Sequence, residues 1–212
     1  MRSTMPLAAA LLTMLALPAV AQNPPAAPQD PICSASRPCV RGTVAKLDDQ
    51  NLVVKSRDGR DVTVALAPNF TVASVVKKSL ADIKVGDFVA STSVKGTDGK
   101  LHAVEVHILP IAVRAQAEGQ FPFDLIPDSV MTNAIVEGIA EGAQGETLKV
   151  SFKGNVTEVV VPPDAPVVGY GPGDSALLKP GAAVFIVTAK AADGSLSTAR
   201  VTAEKDGVKP PM

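Results

Sequence analysis

The stretch NLVVKSRDGRDVTVAL, residues 51–66, decides the fold. Two short β-branched runs, Leu52-Val53-Val54 and Val62-Thr63-Val64-Ala65-Leu66, flank Arg57-Asp58-Gly59. In the second run apolar and polar side chains alternate with period two, the pattern of a half-buried strand. An Asp-Gly pair suits the positive φ of a tight hairpin turn. Working outward, the same punctuation predicts strands over Val40–Leu47, Asn51–Ser56, Asp61–Leu66, Asp87–Val94 and Leu101–Leu109. A turn falls at Asp48–Asn51, and one short helical turn at Ser79–Ile83.

The order then recurs. Val40-Arg41-Gly42-Thr43-Val44 is matched by Val136-Glu137-Gly138-Ile139-Ala140, and Leu52-Val53-Val54 by Leu148-Lys149-Val150, both 96 positions on. From there the offset is 95: Pro68-Asn69 matches Pro163-Asp164, Ile83-Lys84-Val85-Gly86 matches Leu178-Lys179-Pro180-Gly181, and Asp98-Gly99-Lys100-Leu101 matches Asp193-Gly194-Ser195-Leu196. Agreement of this kind over a fixed period reads as an internal duplication. A sheet of about five strands exposes two edges and one apolar face, and curling into a small barrel hides both. The fold class expected is therefore all-β, with two tandem OB-like five-stranded barrels joined by a Pro/Phe-containing linker. The divisions are a signal peptide (1–21), a Pro-rich tether (22–38), a first barrel unit (39–110), an ordered linker (111–132), a second barrel unit (133–206) and a tail (207–212). In the linker, Pro122 and Pro127 bar regular structure throughout. Phe121, Phe123, Leu125 and Ile126 are too apolar to leave in water and should pack onto a barrel or into the seam between the barrels.

Val40–Leu47, followed by Leu52-Val53-Val54-Lys55 and Ile83-Lys84-Val85-Gly86-Asp87-Phe88-Val89, resembles an uncharacterised domain common in exported bacterial proteins. Glu118–Leu125 with Met131-Thr132-Asn133-Ala134 is similar to the segment joining the two units in a double-domain branch of that family. The resemblance spans Val40 to Thr202 and implies an OB-like barrel in the periplasm. It carries over no catalytic residue. The second unit departs from the pattern in having Ala182-Ala183 where the first has Asp87-Phe88.

The N-terminus points the same way. Arg2, an uncharged apolar run over Met5–Pro18 and Ala19-Val20-Ala21 read as a cleaved signal peptide, with the mature chain starting at Gln22. The apolar run falls short of the ~20 residues that span a bilayer, so no membrane span is expected after cleavage. Without Arg2 the 20 basic residues become 19 against 21 acidic ones, a balance that offers polyanions nothing. In an oxidising compartment Cys33 and Cys39 are expected to form one local disulfide. The alternative, a redox or metal-binding pair, lacks the C-x-x-C spacing and a nearby histidine.

No catalytic, cofactor-binding or metal-binding residue is assigned. His102 and His107 are an odd number of positions apart and fall on opposite faces of one strand, whereas Glu105 shares a face with His107. Two ligands make a weak metal site. No serine stands in G-x-S-x-G. Gly169–Asp174 lacks Gly-Lys-Ser/Thr, and Pro172 removes an amide a phosphate cradle needs, so the stretch reads as a variable surface loop. With six Phe, one Tyr, no Trp and only Lys77-Lys78 as an adjacent basic pair in the folded region, no nucleic-acid binding is expected. The expected function is a non-enzymatic periplasmic or secreted binding or interaction module, with an envelope protein or a small molecule as partner classes. The alternative is a metal- or cofactor-handling accessory protein using Cys33 and Cys39 if reduced, or His107 with Glu105.

Overall fold

The computed structural model describes residues 33–142 and 145–210, so the expected signal peptide, most of the tether and the last two residues lie outside it. The protein is all-β and contains a closed five-stranded barrel. The first half supplies β1 (Cys39–Leu47), β2 (Asn51–Ser56), β3 (Asp61–Lys78), β4 (Phe88–Lys95) and β5 (Leu101–Leu109), with one 3-10 turn at Leu80–Asp82. A 3-10 turn at Ile111–Val113 and the short helix α1 (Arg114–Ala117) open the linker, and β6 (Gly119–Pro122) continues it. The second half supplies β7 (Val130–Gly142), β8 (Gly145–Phe152), β9 (Asn155–Val161), β10 (Val167–Gly173), β11 (Ala183–Val187), the two-residue β12 (Ala189–Lys190) and β13 (Leu196–Ala203). The Asp58-Gly59 hairpin forms as expected, with Gly59 at φ +81°.

Residues 39–110 and 133–206 do not close separately. The barrel runs β1–β2–β3, then to β13 in parallel, then β11, and back to β1. Three strands come from the first half and two from the second. A second ring of pairings runs β7–β8–β9, then through a short parallel contact (Leu101↔Val159, His102↔Val160) to β5, then β4, and back to β7. The halves have exchanged their last two strands. The apolar cores follow the exchange. One combines Val44, Leu52, Val54 and Val64 with Leu178, Val184, Ile186 and Val201, and the other combines Ile83, Val89 and Val106 with Val136, Leu148, Val150 and Val159.

The bridge between the rings is β3, which does not stop at Leu66. Its pairing with β13 passes from Leu66↔Thr198 to Thr71↔Arg200, so Ala67–Phe70 bulge out against Ala199 alone. A bulge accommodates Pro68 inside a strand because the extra residues leave the ladder. In the second half Pro162, Pro163 and Pro166 remove three donors, and the same length of chain splits into β9 and β10. The far end of β3 pairs antiparallel with β10, and Val75 sits opposite Tyr170, 95 positions on. The flanking contacts recur at that offset, Val72↔Val201 beside Val167↔Val106. A pseudo-two-fold axis therefore passes between Val75 and Tyr170.

The first strands match differently from the sequence expectation. Val44 exchanges backbone hydrogen bonds with Ala182 and Gly181, and Val136 does so with Asp87 and Gly86. Val44 therefore corresponds to Val136, and Arg41 to Asn133. The reason is a longer hairpin, since β7 and β8 pair out to Gly142↔Gly145 whereas β1 and β2 end at Leu47↔Leu52. The two glycines first matched, Gly42 and Gly138, are thus unlike. A Cβ on Gly42 would meet the carbonyl of Lys55 and lie 2.9 Å from Ser56 Cα, whereas one on Gly138 has only Lys149 Cβ at 3.8 Å. Gly42→Ala should destabilise by about 2–3 kcal/mol through forced backbone movement, and Gly138→Ala should change stability by less than about 1 kcal/mol. Urea melts of the two variants check this, and equal effects would contradict the assignment.

Candidate functional site

The linker folds over the seam between the rings. Phe121 and Leu125 are buried and Phe123 is half-buried, as expected of them, whereas Ile126 is exposed. Beneath lies Arg41 of β1, a charged side chain only 3 % exposed. Its guanidinium grips Asp124 through two hydrogen bonds of 3.0 and 2.8 Å. It stacks between Phe123 and Phe185, 5.1 and 4.9 Å from the ring centres, an arrangement that offsets part of the cost of burying a cation. Cys33 Sγ lies 3.6 Å from the same guanidinium.

Cys33 and Cys39 stand at disulfide distance, with Cα atoms 5.2 Å apart. The bond closes a short loop at the entry to β1, beside Arg41. Cys33→Ser should therefore cost roughly 2 kcal/mol in the loop-entropy picture. A calorimetric melt should show a drop of about 4–8 °C in a domain of this size, and an unchanged melt would remove the disulfide from the stabilising contacts.

The histidines part as the strand period requires. His102 lies near the surface, its Nε2 within 3.1 Å of both Asp98 oxygens. His107 is buried, and Glu105 shares its face. His107 Nδ1 meets the Tyr170 hydroxyl at 2.6 Å. Burial and the nearby Glu105 charge push the Tyr170 phenol well above its ordinary value. The phenol therefore stays protonated and shares a hydrogen bond with Nδ1. Nε2 is 3.3 Å from Glu105 Oε1 but off the direction of a well-formed hydrogen bond, so it stays unsatisfied at ion-pair range. The Thr92 hydroxyl donates to Glu105 Oε1 at 2.7 Å. Burial pushes the Glu105 carboxyl up, but His107, Thr92 and the Arg41 charge together outweigh it and hold the group below its usual value.

These side chains surround one cavity of about 110 Å³ at the seam. Arg41 lies across from Phe185, its pseudo-symmetric counterpart Asn133 lies across from Ala90, and all four line the cavity. Tyr170, beside the pseudo-axis, lines it as well. Among the described residues, three buried side-chain polar atoms have no hydrogen-bond partner: Arg41 Nε, His107 Nε2 and Asn133 Oδ1. All three belong to residues of this wall. Buried polar groups are normally paired, so three unpaired ones around one cavity set this wall apart among the described residues.

Sequence reasoning named Glu105 and His107 but missed Arg41, Asn133 and Tyr170. Gly169–Asp174 is not a surface loop: through Gly173 it belongs to β10, paired with β3 and β5, and Gly171 lets Ser74 Oγ approach to 3.1 Å of where a Cβ would stand. Lys77 and Lys78 end β3 and are exposed. Among the described residues no three His, Cys, Asp or Glu gather, and no helix is long and apolar enough to cross a membrane. No family model, curated protein or solved structure matches the chain.

Proposed function

We propose that the protein is an exported, non-catalytic binding module, a duplicated pair of OB-type barrels whose ligand enters the seam cavity. The observation that carries this reading is the trio of orphaned polar atoms on buried residues from both halves. Strand order supports the OB-type assignment of both rings, since each places its fifth strand beside its third and its fourth beside its first. The disulfide and the apolar leader support export. With Cys33 and Cys39 bonded to each other, the accessory-protein alternative must first reduce them or use His107 with Glu105.

A thermal-shift screen of chemically diverse small molecules tests the proposal, run on the wild type and on Asn133→Leu, which keeps the branched shape of the side chain and removes its orphaned acceptor. Ligands at a hundred times Kd stabilise by about 2.7 kcal/mol, several degrees in melting temperature. Compounds that stabilise the wild type and not the variant are expected. Stabilisers indifferent to the substitution, or none, would sink the reading, and a shift that a chelator abolishes would favour the metal-handling alternative.

A further inference from the structure

We infer that the seam cavity takes a small, electrically neutral molecule with a hydrogen-bond acceptor beside a donor, of the carboxamide type. The inference rests on the binding reading above and adds the chemistry of the ligand. Charge comes first. The cavity has one fixed cation and one fixed anion in its wall: Arg41 is held by Asp124, and Glu105 accepts a hydrogen bond from Thr92 with His107 beside it. A further charge would enter a small space among aromatic and aliphatic side chains, where desolvation opposes it.

The orphans then set the polarity of the ligand. Arg41 Nε is a donor and requires an acceptor. Asn133 Oδ1 is an acceptor and requires a donor, because the amide nitrogen of Asn133 is already committed to the Ala117 carbonyl at 2.8 Å. That hydrogen bond also fixes which way the amide faces. A carboxamide, with its oxygen on Arg41 Nε–H and its NH2 on Asn133 Oδ1, answers both kinds of orphan at once. Size closes the argument. About 110 Å³ corresponds to roughly four water volumes, which suits a ligand of about four to six heavy atoms. At the best efficiency known for tiny ligands such a molecule binds no more tightly than about micromolar.

Three isosteric probes separate the possibilities: acetamide, acetate and acetamidinium, equal in shape and differing in charge. Each is titrated into the full mature chain, and the Arg41 Nε–H and Asn133 side-chain amide resonances are followed by NMR. Acetamide should shift both resonances saturably, with acetate and acetamidinium at least tenfold weaker. Asn133→Leu should weaken acetamide at least tenfold, and the wild-type comparison stands even where that variant folds poorly. Tighter binding of either charged probe at these resonances overturns the ligand class while upholding the site. Silence of both resonances with all three probes overturns the class as well, and the thermal-shift screen then judges the binding reading separately.

Discussion

Cut in its linker, the chain should stay in one piece. A protease site inserted between Pro110 and Ile111, both exposed, divides the protein into its two halves. Independent barrels would part on dilution. Here the first half has given β4 and β5 to the second ring, and the second half has given β11 and β13 to the first barrel. The β3–β10 ladder ties them a third time, over seven residue pairs from Val72↔Gly173 to Lys78↔Val167. Separation would expose Val184, Ile186 and Val201 on one fragment and Val89 and Val106 on the other, all almost wholly buried. At about 1.5–3 kcal/mol per side chain this far exceeds what dilution can overcome. The nicked protein should elute from a sizing column at the position of the intact one and separate only in denaturant. Two separate peaks without denaturant would disprove the exchange.

The second large effect is expected at Glu105. Its carboxylate is 3 % exposed, between Thr92 and His107. Glu105→Ala leaves His107 Nε2 facing a void and the buried Arg41 without its second compensating charge. Breaking a buried ionic contact from one side costs about 3–5 kcal/mol, and urea denaturation should show a loss of that size. Glu105→Gln keeps an acceptor for Thr92 and should lose less. The pH dependence carries a sign. A carboxyl held below its usual 4.5 in the folded state stabilises the fold above that value, and the contribution fades as pH falls through the folded value. The gap between wild type and Glu105→Gln should therefore persist at pH 7 and narrow as the pH falls below the usual 4.5. A gap that widened on acidification would reverse the assigned direction.

The local pieces were legible because local pairing leaves a local pattern. Strands Asn51–Ser56 and Leu101–Leu109 fall where period-two alternation and the turns around them place them. The exchange was not legible, for a reason of equivalence. The edges of β1 and β3 accept a fourth and fifth strand from either half with similar side chains, so no residue pattern says which half supplies them. The choice is made by β3, which at 18 residues runs past the first barrel. It delivers Leu80 and Ile83 to the second core before β4 begins. The strand expected to end at Leu66 runs on through a bulge that holds Pro68-Asn69. The site followed the same logic. Glu105 and His107 share a strand and could be paired by counting, whereas Arg41, Asn133 and Tyr170 meet them only through contacts across the seam.

The exchanged strands also set a timetable. A chain that emerges N-terminus first completes β1, β2 and β3 early, but they must wait for Ala183–Ala203 before their barrel can close. The strands of the second ring are complete at Val161, with Ala165 and Val167 of its core following at once, so it can close first. For most of synthesis the opening meander therefore keeps an apolar face and two unpaired edges, the kind of surface that invites association with other chains. Its closing contacts, such as Val72 with Val201, bridge more than a hundred residues, and contacts so distant in sequence make for slow folding. The arrangement that locks the finished molecule together thus leaves its first third the last part to be sheltered.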